Sequence, residues 1–321
     1  MIPKQENSYS IVFMGTPDFA VPTLKLLVET FPGEVKKVFT QPDSIAGRGR
    51  KLKAPQVKIA AENLGIPVFQ PGRLSEASSI QKLEEISPDL IVVVAYAQKV
   101  PRKVLDMPPH GCINLHPSLL PKYRGASPIR HTLMNGETIT GNTSMYLNEE
   151  WDAGDIILQQ EVEIKPNETY GELIPRMAKL GAELMVETVK KIKLNNAPRI
   201  PQDHSKATFA PAITNEICEI DWNLPTERIL NLVRGLSPVP GAYCRYNEKR
   251  LKILKGEKIQ PAAPLGEPGT IIAADKHQGL IVSGGDGAIN IAVLQPEGKK
   301  AMTGHQFVNG YRPEKGENFN N

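Results

Sequence analysis

Short apolar runs alternate with amphipathic stretches along the first half of the chain. Residues 11–15 (IVFMG) read as a buried strand ending in glycine. Thr16-Pro17-Asp18 reads as a helix start with proline in the first turn. That helix turns Val21, Leu24 and Leu27 or Val28 inward. Residues 35–40 form a second strand. Pro55 opens a second helix with Val57, Ile59 and Leu64 among its apolar positions, Gly65 closes it, and 66–69 is a third strand. A polar helix near 78–86 precedes residues 89–96 (DLIVVVAY). This continuous, mostly β-branched run predicts a strand buried on both faces, as in a parallel sheet. Residues 111–116 (GCINLH) repeat the signal and break at Pro117. Residues 143–147 and 156–164 alternate more clearly and predict antiparallel additions. The longest helix spans 169–194, opened by a Thr169/Glu172 capping box, with Leu173, Met177, Leu180, Leu184 and Val189 on one rough face. Alternation of strand and helix implies βαβ units and a doubly wound α/β sheet.

The pattern changes after a polar stretch at 201–211. One helix, 226–234, precedes short strands at 242–246, 251–254, 270–273, 280–283 and 288–294. Gly284-Gly285-Asp286-Gly287 marks a hairpin. This is the signature of a small antiparallel β-barrel of the oligonucleotide-binding (OB-like) type. A length of 321 residues exceeds what one core organises, so two domains are expected: 1–205, ending in a linker at about 198–210, and 206–321. With 40% hydrophobic and 23% charged residues, a disordered or collagen-like chain is excluded. The apolar runs are far shorter than the roughly 20 residues that span a bilayer, so no membrane partner is expected. Cys112, Cys218 and Cys244 lie far apart, which fits a reducing cytoplasm and three small buried hydrophobes.

Charge alters the picture only locally. Lys and Arg number 38 against 35 Asp and Glu, net +3, which excludes an indiscriminate polycation. The cations cluster, however. Arg48, Arg50, Lys51 and Lys53 fall within six residues that hold no acid. Arg245, Lys249, Arg250, Lys252, Lys255 and Lys258 outnumber Glu248 and Glu257. On alternating strand positions the second cluster makes one charged face, a track for RNA phosphates. The plain alternative for either cluster is a solvated surface.

Known cofactor motifs are missing. Gly15-Thr-Pro-Asp-Phe-Ala20 follows a strand and opens a helix but lacks G-x-G-x-x-G, so no nicotinamide cofactor is expected. Gly47-Arg-Gly-Arg-Lys51 lacks phosphate-loop spacing, and the six histidines have no metal-site spacing. Asn114, His116 and Asp152 stand out instead. Asn114 and His116 are two apart at the carboxyl end of a buried strand, so their side chains share a face at the edge where open α/β sheets bind ligands. Asp152, in Trp151-Asp-Ala-Gly-Asp155, sits at a turn between two strands. An amide donor, an imidazole and a carboxylate suit acyl transfer to an amine: oxyanion stabilisation, proton delivery to the leaving nitrogen, and control of the imidazole's charge. Each residue also has a plain structural alternative: a satisfied histidine, an asparagine serving loop backbone, an Asx turn.

Several segments together resemble the methionyl-tRNA formyltransferases. They are residues 14–20 (MGTPDFA), 40–43 with 47–52, 92–96 (VVVAY), 111–121 (GCINLHPSLLP), 124–129 (RGASPI) and 152–155. The second half joins at 220–222, 234–240 and 284–302, so the likeness spans nearly the whole chain. It implies a Rossmann-like formyltransferase domain followed by a barrel. It also implies transfer of formyl from 10-formyltetrahydrofolate to methionyl initiator tRNA by a cytoplasmic, monomeric enzyme. Asn114, His116 and Asp152 match the superfamily's catalytic trio. Ser118, Leu119, Leu120 and Pro121 match its folate-binding segment, and Tyr96 and Ala97 border the pterin pocket. Arg48, Arg50, Lys51 and Lys53 match a loop reaching the tRNA acceptor stem. Two positions depart from the family pattern: Ser44-Ile45, where Arg-Pro is frequent, and Pro117, where Gly or Ala is frequent. A related transferase acting on a small-molecule or nucleotide-sugar amine is the alternative enzyme. A noncatalytic RNA-binding protein is the alternative of another class.

Overall fold

The computed structural model describes residues 9–46, 51–260 and 265–319. The chain divides into two compact units. Unit 1 holds residues 1–125, 140–162 and 174–209, and unit 2 holds 126–139, 163–173 and 210–321.

In unit 1 the continuous apolar runs become the central strands. These are β1 (Ile11–Gly15), β6 (Leu90–Val94) and β7 (Cys112–His116). With β2 (Val35–Phe39) and β5 (Val68–Phe69) they form a parallel set in the order β5-β2-β1-β6-β7. Every residue of β1 and β6 is buried, as a strand covered on both faces must be. Strand β8 (Ile139–Tyr146) pairs antiparallel with β7, and β9 (Ile156–Glu163) completes the sheet. A two-stranded hairpin, β3 (Ser44–Ala46) and β4 (Lys51–Lys53), stands apart from it.

Helices cover both faces. One face joins Val12, Met14, Ile91, Val93 and Cys112 to Leu83 of α3 (Ala77–Ile86) and Val104 of α4 (Arg102–Leu105). On the other face, Leu115 lies against Gly181 of α6 (Tyr170–Lys193). Asn142 Nδ2 donates to Met177 O at 3.0 Å, and Thr188 Oγ1 donates to Ser144 Oγ at 2.7 Å. Helices α1 (Val21–Thr30) and α2 (Gln56–Asn63) pack together. Gly65 closes α2 at φ +70°, a left-handed C′ position that glycine occupies without steric cost.

Unit 2 carries an antiparallel sheet in the order β10-β11-β14-β13-β12. Its strands are β10 (Ala242–Tyr246), β11 (Lys249–Ile259), β12 (Ile271–Asp275), β13 (Gly279–Ser283) and β14 (Ala288–Pro296), with β15 (Met302–Thr303) on β14. Among the described residues the sheet is antiparallel and no ladder pairs β10 directly with β12, so no closed strand-to-strand barrel is found. Residues 317–319 lie between them, with Arg245 N donating to Phe319 O at 3.2 Å and Phe319 N to Gly269 O at 2.9 Å. Its core gathers Trp222, Ile253, Leu280 and Ile291 with Ile229 of α7 (Thr226–Leu236) and Phe307 of α8 (Gly304–Tyr311). The Gly284–Gly287 hairpin also starts α7. Asp286 Oδ1 accepts from Thr226 N at 2.7 Å and from Thr226 Oγ1, satisfying orphan donors of the first turn. These bonds from Thr226 hold the Asp286 carboxyl below its ordinary pKa. Helix α5 (Pro128–Met134) packs on α7, with Arg130 Nη1 donating to Gly235 O and its guanidinium 3.6 Å from the Tyr170 ring centroid. Among the described residues no helix is long and apolar enough to cross a membrane.

Candidate active site

Strand β7 delivers Asn114 and His116 to the carboxyl edge of the parallel strands. Asn114 is half-buried, in register with Val93 of β6 and Met145 of β8. His116 is 4% exposed and in register with Thr143. Pro117 ends the strand, and the chain turns back so that His116 Nε2 lies 2.9 Å from Tyr123 O. A carbonyl oxygen only accepts, so Nε2 carries the hydrogen and Nδ1 is left as the nitrogen that gains or loses a proton. Nδ1 lies 3.5 Å from Asp152 Oδ1. That is longer than a formed N–H···O bond, a separation common in catalytic pairs without substrate.

The Trp151–Asp155 turn between β8 and β9 brings Asp152 to this histidine. Asp152 adopts φ +53°, a left-handed conformation that costs about 1–3 kcal/mol outside glycine and persists only where its surroundings enforce it. Its Oδ2 accepts from Gly125 N at 2.8 Å. Gly154 lets the turn close: a Cβ there would sit 1.8 Å from Tyr146 O. The stretch after residue 200 holds the turn from the other side. Gln202 Nε2 donates to Asp152 O at 3.0 Å and to Gly154 O at 2.7 Å.

The Ser118–Pro121 segment is a turn whose polar groups are satisfied partly from within and partly by Thr143 of β8. Ser118 Oγ donates to Lys122 O at 2.7 Å. Ser118 O accepts from Thr143 Oγ1 at 2.6 Å, and Leu120 N donates to that same hydroxyl at 3.2 Å. Leu120 is buried, while Leu119 and Pro121 are half-buried. Tyr96 has its ring in the core of the α3/α4 face, and its carbonyl accepts from Thr16 Oγ1 and Gln41 Nε2. Ala97 is exposed at φ +64°.

The cationic candidates divide. Arg48 and Arg50 lie outside the described residues. Lys51 begins β4, and Lys53 is exposed opposite Ser44. The base of the hairpin is anchored by Asp43, which accepts from Lys58 Nζ at 2.9 Å and from Gln70 Nε2 at 2.8 Å. These bonds, Gln70's first, keep its carboxyl below the ordinary range. In unit 2 only part of the second cluster shares a face, because Lys249 and Arg250 are adjacent and bulges after Ile253 shift the register before Lys255 and Lys258. Arg245 lies opposite Arg250, and Tyr243 opposite Lys252, so all four share a face. Arg250 stacks 3.8 Å from the Tyr243 ring centroid, and Arg245, Lys249, Arg250, Lys255 and Lys258 are exposed.

Cys112, two residues before Asn114, is a spacer in the core. It is 2% exposed, its thiol donates to Val104 O, and burial pushes its pKa up to about 12. A thiol so protonated is no nucleophile at neutral pH. Cys112→Ala is therefore expected to keep turnover within about twofold of the parent at a stability cost of about 1 kcal/mol. A loss of two orders of magnitude in a steady-state assay would return the thiol to the chemistry.

Arg124 and Gln202 escaped the sequence reading as site residues. Gln202 was one polar residue in a presumed linker. Its importance comes from partners 50 and 78 positions away.

The chain matches the family model Formyl transferase over residues 9–189 and Formyl transferase, C-terminal domain, over 212–312. Methionyl-tRNA formyltransferase of Syntrophus aciditrophicus (strain SB) is 47% identical over 304 residues, 94% of this chain and 96% of the relative. That of Halothermothrix orenii is 45% identical over 312 residues, 96% and 99%. Among solved structures, the N-formyltransferase from Helicobacter canadensis in complex with folinic acid and dTDP-3-aminofucose matches with a TM-score of 0.66 at 19% identity. It covers 90% of this chain and 99% of its own. HypX from Aquifex aeolicus in complex with tetrahydrofolic acid matches at 0.63 and 17%, covering 97% and 49%. Both are likenesses of fold. The chain belongs to the formyltransferase family, in the branch of the methionyl-tRNA formyltransferases.

Proposed function

We propose that this protein transfers the formyl group of 10-formyltetrahydrofolate to the α-amine of methionyl initiator tRNA. The support is the near-full-length likeness to methionyl-tRNA formyltransferases, together with the His116–Asp152 pair at the carboxyl edge of the sheet. The neutral amine attacks the formyl carbon directly, so no enzyme nucleophile is needed. The carbonyl oxygen takes up negative charge, stabilised by the Asn114 amide and the His116 imidazolium. His116 and Asp152 handle the proton lost by the attacking amine and the proton gained by the folate nitrogen as the carbon–nitrogen bond breaks. Ser118, Leu119, Leu120 and Pro121 have polar groups already bonded within the turn and to Thr143 and Gln159. They would therefore meet folate as a shaped wall, with little hydrogen bonding from Ser118.

The RNA is met by two groups of cations: Arg48, Arg50, Lys51 and Lys53 of the 48–53 segment, and the Arg245/Arg250/Lys252 face. The bulged, eleven-residue β11 supports an OB-like curl of that sheet. The enzyme acts as a cytoplasmic monomer, its catalytic part and the 48–53 cations within 1–205 and its second RNA-contacting part within 206–321.

The test is incubation with 10-formyltetrahydrofolate and charged initiator or elongator methionyl-tRNA. Formyl-methionyl product on the initiator species is expected. Turnover of a small amine with none on tRNA would sink the assignment. Arg48→Ala is expected to lower kcat/KM for tRNA about tenfold and leave folate affinity unchanged. An unchanged kcat/KM for tRNA would remove the 48–53 segment from RNA recognition.

A further inference from the structure

A closed ring of hydrogen bonds runs around Asp152 without involving the proton chemistry. The carboxylate accepts from Gly125 N at 2.8 Å. The residue before it, Arg124, is 6% exposed, and its Nε and Nη2 both donate to Gln202 Oε1, at 3.2 and 2.6 Å. Gln202 Nε2 then donates to the carbonyls of Asp152 and Gly154. The ring closes on the residue where it began. An amide offers two N–H donors and an oxygen with two lone pairs, and Gln202 has all four in use.

The ring explains a conformation that is otherwise unfavourable. Asp152 holds φ +53°, a left-handed conformation that aspartate tolerates better than most residues and that the ring here fixes. Gln202 grips the backbone of the turn on both sides of Ala153. The planar guanidinium of Arg124 fixes which way the amide faces, because only the amide oxygen can accept its fork. Arg124 Nη1 also lies 3.3 Å from His204 Nδ1.

We propose that Gln202, oriented by Arg124, is a positioning residue that holds Asp152 against His116. The proposal rests on His116 and Asp152 being the proton-handling pair. A leucine at 202 fills the space but makes none of the four bonds. A glutamate keeps the partnership with Arg124 but turns an oxygen toward two carbonyl oxygens. Two features are therefore separable, and only the grip on the turn is held to matter for chemistry.

The experiment measures formyl transfer to methionyl initiator tRNA by the full chain, its Gln202→Leu and Gln202→Glu variants, and Gln202→Leu combined with Asp152→Ala. Both single variants are expected to lose about 10- to 100-fold in kcat, with KM for folate and tRNA within about threefold of the parent. In the Asp152→Ala background, Gln202→Leu is expected to add less than about twofold in single-turnover rate, since the residue it positions is gone. If Gln202→Leu does not fold, Gln202→Glu decides on kcat alone. A folded variant with parental kcat overturns the proposal. So do a loss confined to KM and a full additional loss in the Asp152→Ala background, since either marks a merely structural glutamine. A parent chain that formylates nothing overturns the functional assignment itself and takes the proposal with it.

Discussion

His116→Ala is expected to bind methionyl-tRNA as the parent does and to turn over about 10³-fold more slowly. The imidazole is placed by backbone on one side and by a carboxylate on the other, at 2.9 Å from Tyr123 O and 3.5 Å from Asp152 Oδ1. With Nε2 committed to a carbonyl, Nδ1 is the nitrogen that faces Asp152. Removing the ring leaves Asp152 with its Gly125 contact, so the pocket keeps its shape and loses its proton carrier. Rapid-quench turnover and filter binding of tRNA separate the two effects. A parallel fall in binding and turnover, with a lower melting point, would mean that His116 serves the fold alone.

Gly154→Ala is the second large effect expected, and it acts through backbone. The new Cβ would lie 1.8 Å from the Tyr146 carbonyl oxygen, a main-chain atom in β8 that cannot swing aside as a side-chain tip does. The turn must open, at about 2–4 kcal/mol, which is the upper end of overpacking costs. Opening it carries Asp152 away from His116, two positions along. A displacement of about 1 Å at a catalytic group is enough for a roughly 10²-fold loss of kcat. Calorimetry together with kcat tests both halves. An alanine variant with parental melting and turnover would show that the turn has slack, contrary to its close approach to β8.

The parts of this molecule legible in the sequence are those whose physical cause is local. β1 and β6 announce themselves because strands covered on both faces are apolar throughout. The predicted 251–254 strand proved to be β11 (Lys249–Ile259), because bulges between Ile253 and Gly256 bury Ile253 and Leu254 together and break the alternation. Helix α8 had a signal that went unread: Thr303 and Gln306 form a full capping box. The Thr169/Glu172 pair at α6 was read, and Glu172 does accept from Thr169 N. Asn114 and His116 were legible because a period of two at a strand end is itself geometry. The partners that orient them were not. Tyr123 contributes a carbonyl, which any residue has, and Gln202 contributes an amide whose partners are distant in the chain.

That distance has a consequence for how the protein is made. Unit 1 draws its last segment, 174–209, from most of the long helix and the stretch after it, and Gln202 lies in that stretch. As the chain leaves the ribosome from its N-terminus, the whole parallel sheet can be present while the amide that grips the Asp152 turn is still inside the exit tunnel. The parallel strands are complete well before the turn is gripped, and a nascent chain halted near residue 195 would display the histidine and the carboxylate without the amide that holds the turn.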